Sequence, residues 1–157
     1  MIPIKQTVLH DPDKGQHGNC FSAVLASLLH LPIDAVPVFS DTKTWVKDLN
    51  SWLRPFGLAY LRVGTFDELC ASEGISGCHC EVAGTTNRNN DVLHAVVGID
   101  GIPVFDPHPS DDGLKEVLAS GIFVMLEPWR VLTPNARHNR PSDSEVRVDG
   151  VVGQQEN

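Results

Sequence analysis

The sequence predicts an α+β domain, N-terminal helices packed on a mostly antiparallel sheet, and three features of it carry that prediction. An apolar helical run opens at Cys20, and a second apolar face follows at helical spacing through Trp45, Leu49, Trp52 and Leu53. Strand-length apolar segments separated by turn residues then fill the second half. The chain has 157 residues, enough for one core but short for two domains. We expect that domain over residues 1–133, with the polar, aperiodic stretch 134–157 as a weakly ordered or disordered tail.

Taken in order, Ile2, Ile4 and Val8 suit a short edge strand closed by the turn residues His10 to Asp13. Gly15 to Asn19 leads into a helix over Cys20 to about His30, with Asn19 as its cap. Its apolar residues cover most of its circumference, so it should be central. Leu31-Pro32 ends it, and a turn follows at Ile33 to Pro37. Asp41 or Thr42 caps a second helix to about Arg54, and Leu58 to Val63 reads as a strand. Thr65 to Glu68 fits a capping box opening a third helix that ends near Gly74. Further strands are expected at Cys78–Val82, Val92–Ile99, Ile102–Asp106 and Ile122–Leu126, with one helical turn between Asp112 and Leu118.

A net charge of −8 with no cluster of Lys and Arg argues against a nucleic-acid partner. The nearest cluster, Arg137 to Arg140, falls in the expected tail. No apolar run is long enough to span a bilayer and no signal peptide is evident, so no membrane partner is expected and the expected compartment is the cytoplasm of the producing or host cell. Four cysteines without a secretion signal read as thiols. Cys70, Cys78, His79 and Cys80 lack the spacing of a zinc knuckle, so no metal is expected, and without a glycine-rich phosphate loop no cofactor is either.

The chemistry-bearing residues form a pattern. Cys20 falls in the first turn of its helix, where free N–H groups and the helix dipole favour a thiolate. His94 opens an apolar strand and Asp106 closes the next one across Asp100-Gly101. A two-residue turn there would put His94 and Asp106 on opposite faces. A three-residue loop, Ile99-Asp100-Gly101, would pair them directly. Only the second lets a carboxylate orient the imidazole, and it is the register expected here. Cys20 then serves as nucleophile, His94 as base and Asp106 as its orienter.

Gly18-Asn19-Cys20 with the following Phe21 to Leu29, and His94-Ala95-Val96-Val97 through Phe105-Asp106-Pro107, resemble the nucleophile helix and base hairpin of small papain-like cysteine peptidases of bacteria and phages. More distantly the chain is similar to bacteriocin double-glycine leader peptidases and cell-wall endopeptidases. The resemblance implies a papain-like fold and a Cys20–His94–Asp106 triad that hydrolyses an amide, peptide or isopeptide bond of a protein or peptide substrate through an acyl-enzyme. Such enzymes carry an oxyanion-hole glutamine six residues before the nucleophile, where this chain has Lys14. Gln16 and Gln6 are the candidates for that role, and His17, Asn19 and His108 for the cleft wall. The alternatives are a deamidase or acyltransferase using the same triad, and a non-catalytic binding or inhibitor module on the same scaffold.

Overall fold

A computed structural model describes residues 1–39, 43–64, 66–88 and 92–129. The caps expected at Asp41 or Thr42 and at Thr65, and the tail expected over 134–157, lie outside the described residues. The chain divides into two units after Leu126, and every helix and strand named here belongs to the first, Met1–Leu126.

The fold is α+β: among the described residues there are three α-helices and one five-stranded antiparallel sheet. The helices are α1 (Cys20–Leu29), α2 (Trp45–Leu53) and α3 (Phe66–Glu73). The strands are β1 (Leu58–Val63), β2 (His79–Thr85), β3 (His94–Ile99), β4 (Ile102–Phe105) and β5 (Glu116–Met125), in the order β1-β5-β2-β3-β4. Among the described residues no helix is long and apolar enough to cross a membrane.

Two elements differ from expectation. Residues 1–10 form no strand. Instead the segment is an irregular strap, tied to α1 by Ile2 N–H donating to the Ser27 carbonyl and by Ile4 N–H donating to Ser27 Oγ. Its Gln6 N–H donates to the Pro107 carbonyl. Further on, residues 116–118 are not helical. They begin β5, a ten-residue strand that fills the sheet's interior between β1 and β2. The polar spacing of Asp112 to Leu118 resembled a helical turn, but pairing of Glu116 with Thr85 and of Val117 with Gly84 wins.

The sheet carries helices on both faces. Leu25, Leu49, Leu53 and Tyr60 make the largest cluster, joining α1 and α2 to β1, while Val24 packs on Ala95 and Val97 of β3. Phe66 and Cys70 of α3 pack on Cys80, Val82 and Val96. Strand alternation therefore separates Ala95 and Val97, which face α1, from Val96, which faces α3. All four cysteines are free. Cys80 is buried, accepts the Gly101 N–H at 3.4 Å, and has its thiol pushed up to about 11, chiefly by burial.

Gly121 lies on the α1 face of β5, paired with Arg62 of β1 and Glu81 of β2. A Cβ there would overlap the Tyr60 ring, which lies across the strand. Gly121→Ala must displace that ring or the strand, and a loss of about 1–3 kcal/mol is expected in urea unfolding. A loss below about 0.5 kcal/mol, the range of neutral surface changes, would remove the case for this close approach.

Candidate active site

The β3–β4 hairpin brings His94 to Asp106, by a route other than the one the sequence suggested. Ile99 pairs with Ile102, so the turn is the two-residue Asp100-Gly101, with φ of 54° and 82°. That is the backbone of a type I′ turn. The Asp100 carboxylate fixes it by accepting the Gly77 and Cys78 N–H groups at 2.9 and 2.7 Å. The three-residue loop expected is therefore absent. Phase is restored further along, where Gly98 pairs with Pro103 but Val97 pairs with Phe105, leaving Val104 as the extra residue of a bulge. Asp106 is thereby turned to the His94 side of the sheet, and its Oδ1 lies 2.6 Å from His94 Nε2. His94 itself pairs with Gly84 of β2, not with Asp106.

Asp106 is buried and well supplied with donors. The His108 N–H donates to Oδ1 at 2.7 Å, the Gly113 N–H donates to Oδ2 at 2.8 Å, and Arg88 Nη1 stands 3.6 Å from Oδ2. Burial by itself raises this carboxyl, but the bonds from His94, His108 and Gly113 outweigh it and hold it below the ordinary carboxylate range. Burial lowers the His94 imidazole, and the nearby Arg88 charge adds to that; Asp106 only partly offsets them. The net push is toward the neutral ring, with Nε2 engaged by a carboxylate. Nδ1 is the nitrogen left to exchange a proton.

Cys20 begins α1, as expected, but its surroundings differ. Asn19 occupies the cap position without capping: its Oδ1 accepts the Thr7 and Val8 N–H groups at 3.1 and 2.9 Å, and its Nδ2 donates to Thr7 Oγ1. It is buried and anchors the strap rather than lining a cleft. The thiol is pushed up, not down. Burial dominates and the Glu81 carboxylate adds to it, while the N–H groups of Ala95, Phe21 and Cys20 pull the other way. This push runs against the expectation from the helix start: burial outweighs the N–H groups there.

Cys20 and His94 line one cleft of about 760 Å³. His94, first in its strand, shares a sheet face with Val96. The next residue, Ala95, faces α1 and offers its N–H to the Cys20 sulfur. Both residues reach the cleft, Cys20 from the start of α1 and His94 from the first position of β3. Gln6 also lines the cleft; it is buried, its Nε2 donates to the Val8 carbonyl at 3.0 Å, and its Oε1 has no partner among the described residues. Gln16 does not line it. Its side chain is exposed and donates to the Leu9 carbonyl at 2.8 Å. Of the two glutamines, only Gln6 lines the cleft that Cys20 lines.

His17 and His108 both line the cleft, and His108 stacks edge-on to His94 with ring centroids 6.1 Å apart. Its Nδ1 accepts the Ser110 N–H at 3.0 Å. Among the described residues no three His, Cys, Asp or Glu side chains are arranged to hold a metal ion. The sequence reading missed Arg88, which also pairs with Asp112 at 3.3 Å, and the buried Tyr60–Glu81 contact in the cleft. Nothing in local spacing marks either one. Arg88 sits in a polar connection, and Glu81 interrupts an apolar strand.

No family model, no curated protein and no solved structure matches this chain.

The opposing influences on His94 can be separated by variants read through imidazole NMR titration. Asp106→Asn removes the hydrogen bond and the charge that hold the ring's pKa up, so the His94 titration should move lower. Arg88→Gln removes a charge that opposes the imidazolium, so it should move higher. Shifts of the opposite sign would mean that Asp106 does not orient this ring.

Proposed function

We propose that this chain is a cysteine hydrolase of papain-like architecture that cleaves an amide, peptide or isopeptide bond, with Cys20, His94 and Asp106 as nucleophile, base and orienter. The observation that carries the reading is the 2.6 Å contact between buried His94 and Asp106, at a cleft that His94 shares with Cys20. The resemblance of the Cys20 and His94 segments to papain-like peptidases supports the same assignment.

The ionisation directions favour a neutral resting pair over a preformed thiolate–imidazolium. His94 Nδ1 then accepts the thiol proton as the sulfur attacks the carbonyl carbon, and the ionised Asp106 stabilises the imidazolium as it forms. The Cys20 backbone N–H and the spare N–H of Gln6 Nε2 stabilise the oxyanion. As the C–N bond breaks, His94 returns the proton to the leaving nitrogen. A water, deprotonated by the same ring, then releases the acyl group from sulfur and restores the thiol.

A second reading, a binding module on the same scaffold, draws on one observation: burial holds the Cys20 thiol above its ordinary range. Both readings are tested by incubating the full chain with a proteome-derived peptide library near pH 7 and sequencing the new termini. Hydrolysis predicts termini that vanish with Cys20→Ala and His94→Ala. Identical sets from the wild type and Cys20→Ala would sink the enzymatic proposal. On a substrate so found, Gln6→Ala should lower kcat by about 10²- to 10³-fold, the usual effect of losing one oxyanion donor. An unchanged kcat would remove Gln6 from that role.

A further inference from the structure

Glu81 is 3% exposed and yet lines the cleft. It sits on the α1 face of β2, with Val97 on one side and Gly121 on the other. Gly121 has no side chain, and the Tyr60 ring occupies that space and donates its hydroxyl to Glu81 Oε2 at 3.0 Å. Around this carboxyl the cleft wall is aromatic. Phe21, Trp45 and Tyr60 meet one another at centroid distances of 5.5 to 6.0 Å, and Phe39 lines the same wall.

A carboxyl removed from water needs a proton or a cation beside it. Among the described residues Glu81 has neither an ion pair nor a second side-chain hydrogen bond. Arg62, on the same sheet face beyond Gly121, is exposed, and its charge only partly offsets the burial that pushes Glu81 up to about 7. Lys43 is likewise exposed. Solvent screens these two rim cations, whereas the buried carboxyl is screened far less.

We propose that the aromatic-walled part of the cleft, closed by the Glu81 carboxyl, binds a cationic side chain, an ammonium or guanidinium on an apolar stem. Aromatic faces attract the cation and cover the stem, and the carboxylate supplies the countercharge that the described residues leave unfilled. As a substrate preference, for a basic residue near the scissile bond, this rests on the hydrolase reading above. A cation at that position also offsets the upward push of Glu81 on the Cys20 thiol.

The test is NMR titration of the full chain with Nα-acetyl-lysine methylamide and with its uncharged isostere, Nα-acetyl-norleucine methylamide. The amides of Glu81, Ala83 and Ala95 report the site. The lysine probe should bind at least about tenfold more tightly than the norleucine probe, as a desolvated cation–aromatic contact and an ion pair together permit. Glu81→Gln, which keeps the side chain's shape, should bring the two within about twofold. Equal binding of both probes by the wild type, binding of neither, or a lysine preference that survives in Glu81→Gln overturns the proposal. Cys20-dependent cleavage is scored separately. Cleavage without lysine preference sinks this inference alone, and lysine binding without cleavage sinks the hydrolase reading alone.

Discussion

The contact between His94 and Asp106 depends on one extra residue in β4. With a two-residue turn and unbroken pairing, strand alternation would send these side chains to opposite faces. Val104, accommodated between the Gly98–Pro103 and Val97–Phe105 pairs, reverses the phase of everything after it. Phe105 then packs toward α1 beside Ala95 and Val97, and Asp106 turns the other way, to the imidazole. The bulge lies at the short edge strand, where the outer side has no partner strand to keep in register. Turn and bulge divide the work: Asp100 and Gly101 set the twist of the hairpin, and Val104 sets the direction of its last side chain.

The N-terminal strap ties that hairpin to α1. Asn19, beside Cys20, holds the N–H groups of Thr7 and Val8. One and two residues earlier, Gln6 N–H donates to the Pro107 carbonyl, and Lys5 Nζ donates to the carbonyls of Asp106 and His108 at 2.8 and 3.1 Å. Four consecutive residues therefore connect the start of α1 with the loop that presents Asp106. Gln6 enters the cleft as a consequence of both attachments, fourteen residues before Cys20. A strap held by side chains and scattered carbonyls needs no ladder, which is why alternating Ile2, Ile4 and Val8 do not become a strand.

Legibility in the sequence followed how local each determinant is. The bounds of β1 and the start of α1 were readable because Gly57, Gly64 and the apolar run from Phe21 mark them within a few residues. The meeting of His94 and Asp106 was anticipated but assigned to the wrong device. Turn chemistry permitted either loop, and the Gly77 and Cys78 N–H groups that decide it lie more than twenty residues away. Asn19 has the residue type of a cap, but a tertiary claim on its amide from Thr7 and Val8 outbid the helix. β5 was half seen, because its first residues are exposed and lack alternation.

Cys20 shows why a helix start is not enough to set a thiol's ionisation. The dipole acts through N–H groups at the first turn, and Phe21 and Cys20 do supply such groups to the sulfur. Burial against Ala95 and the nearby Glu81 charge push harder in the other direction. The same cleft holds His94 neutral by burial while keeping Asp106 ionised through the N–H donors of His108 and Gly113. Asp106 is thus held toward its ionised form, while the His94 imidazole and the Cys20 thiol are pushed toward their neutral forms. In the proposed proton transfer, an imidazolium on His94 would meet a carboxylate already in place. Reorganisation at the moment of charge separation is correspondingly small.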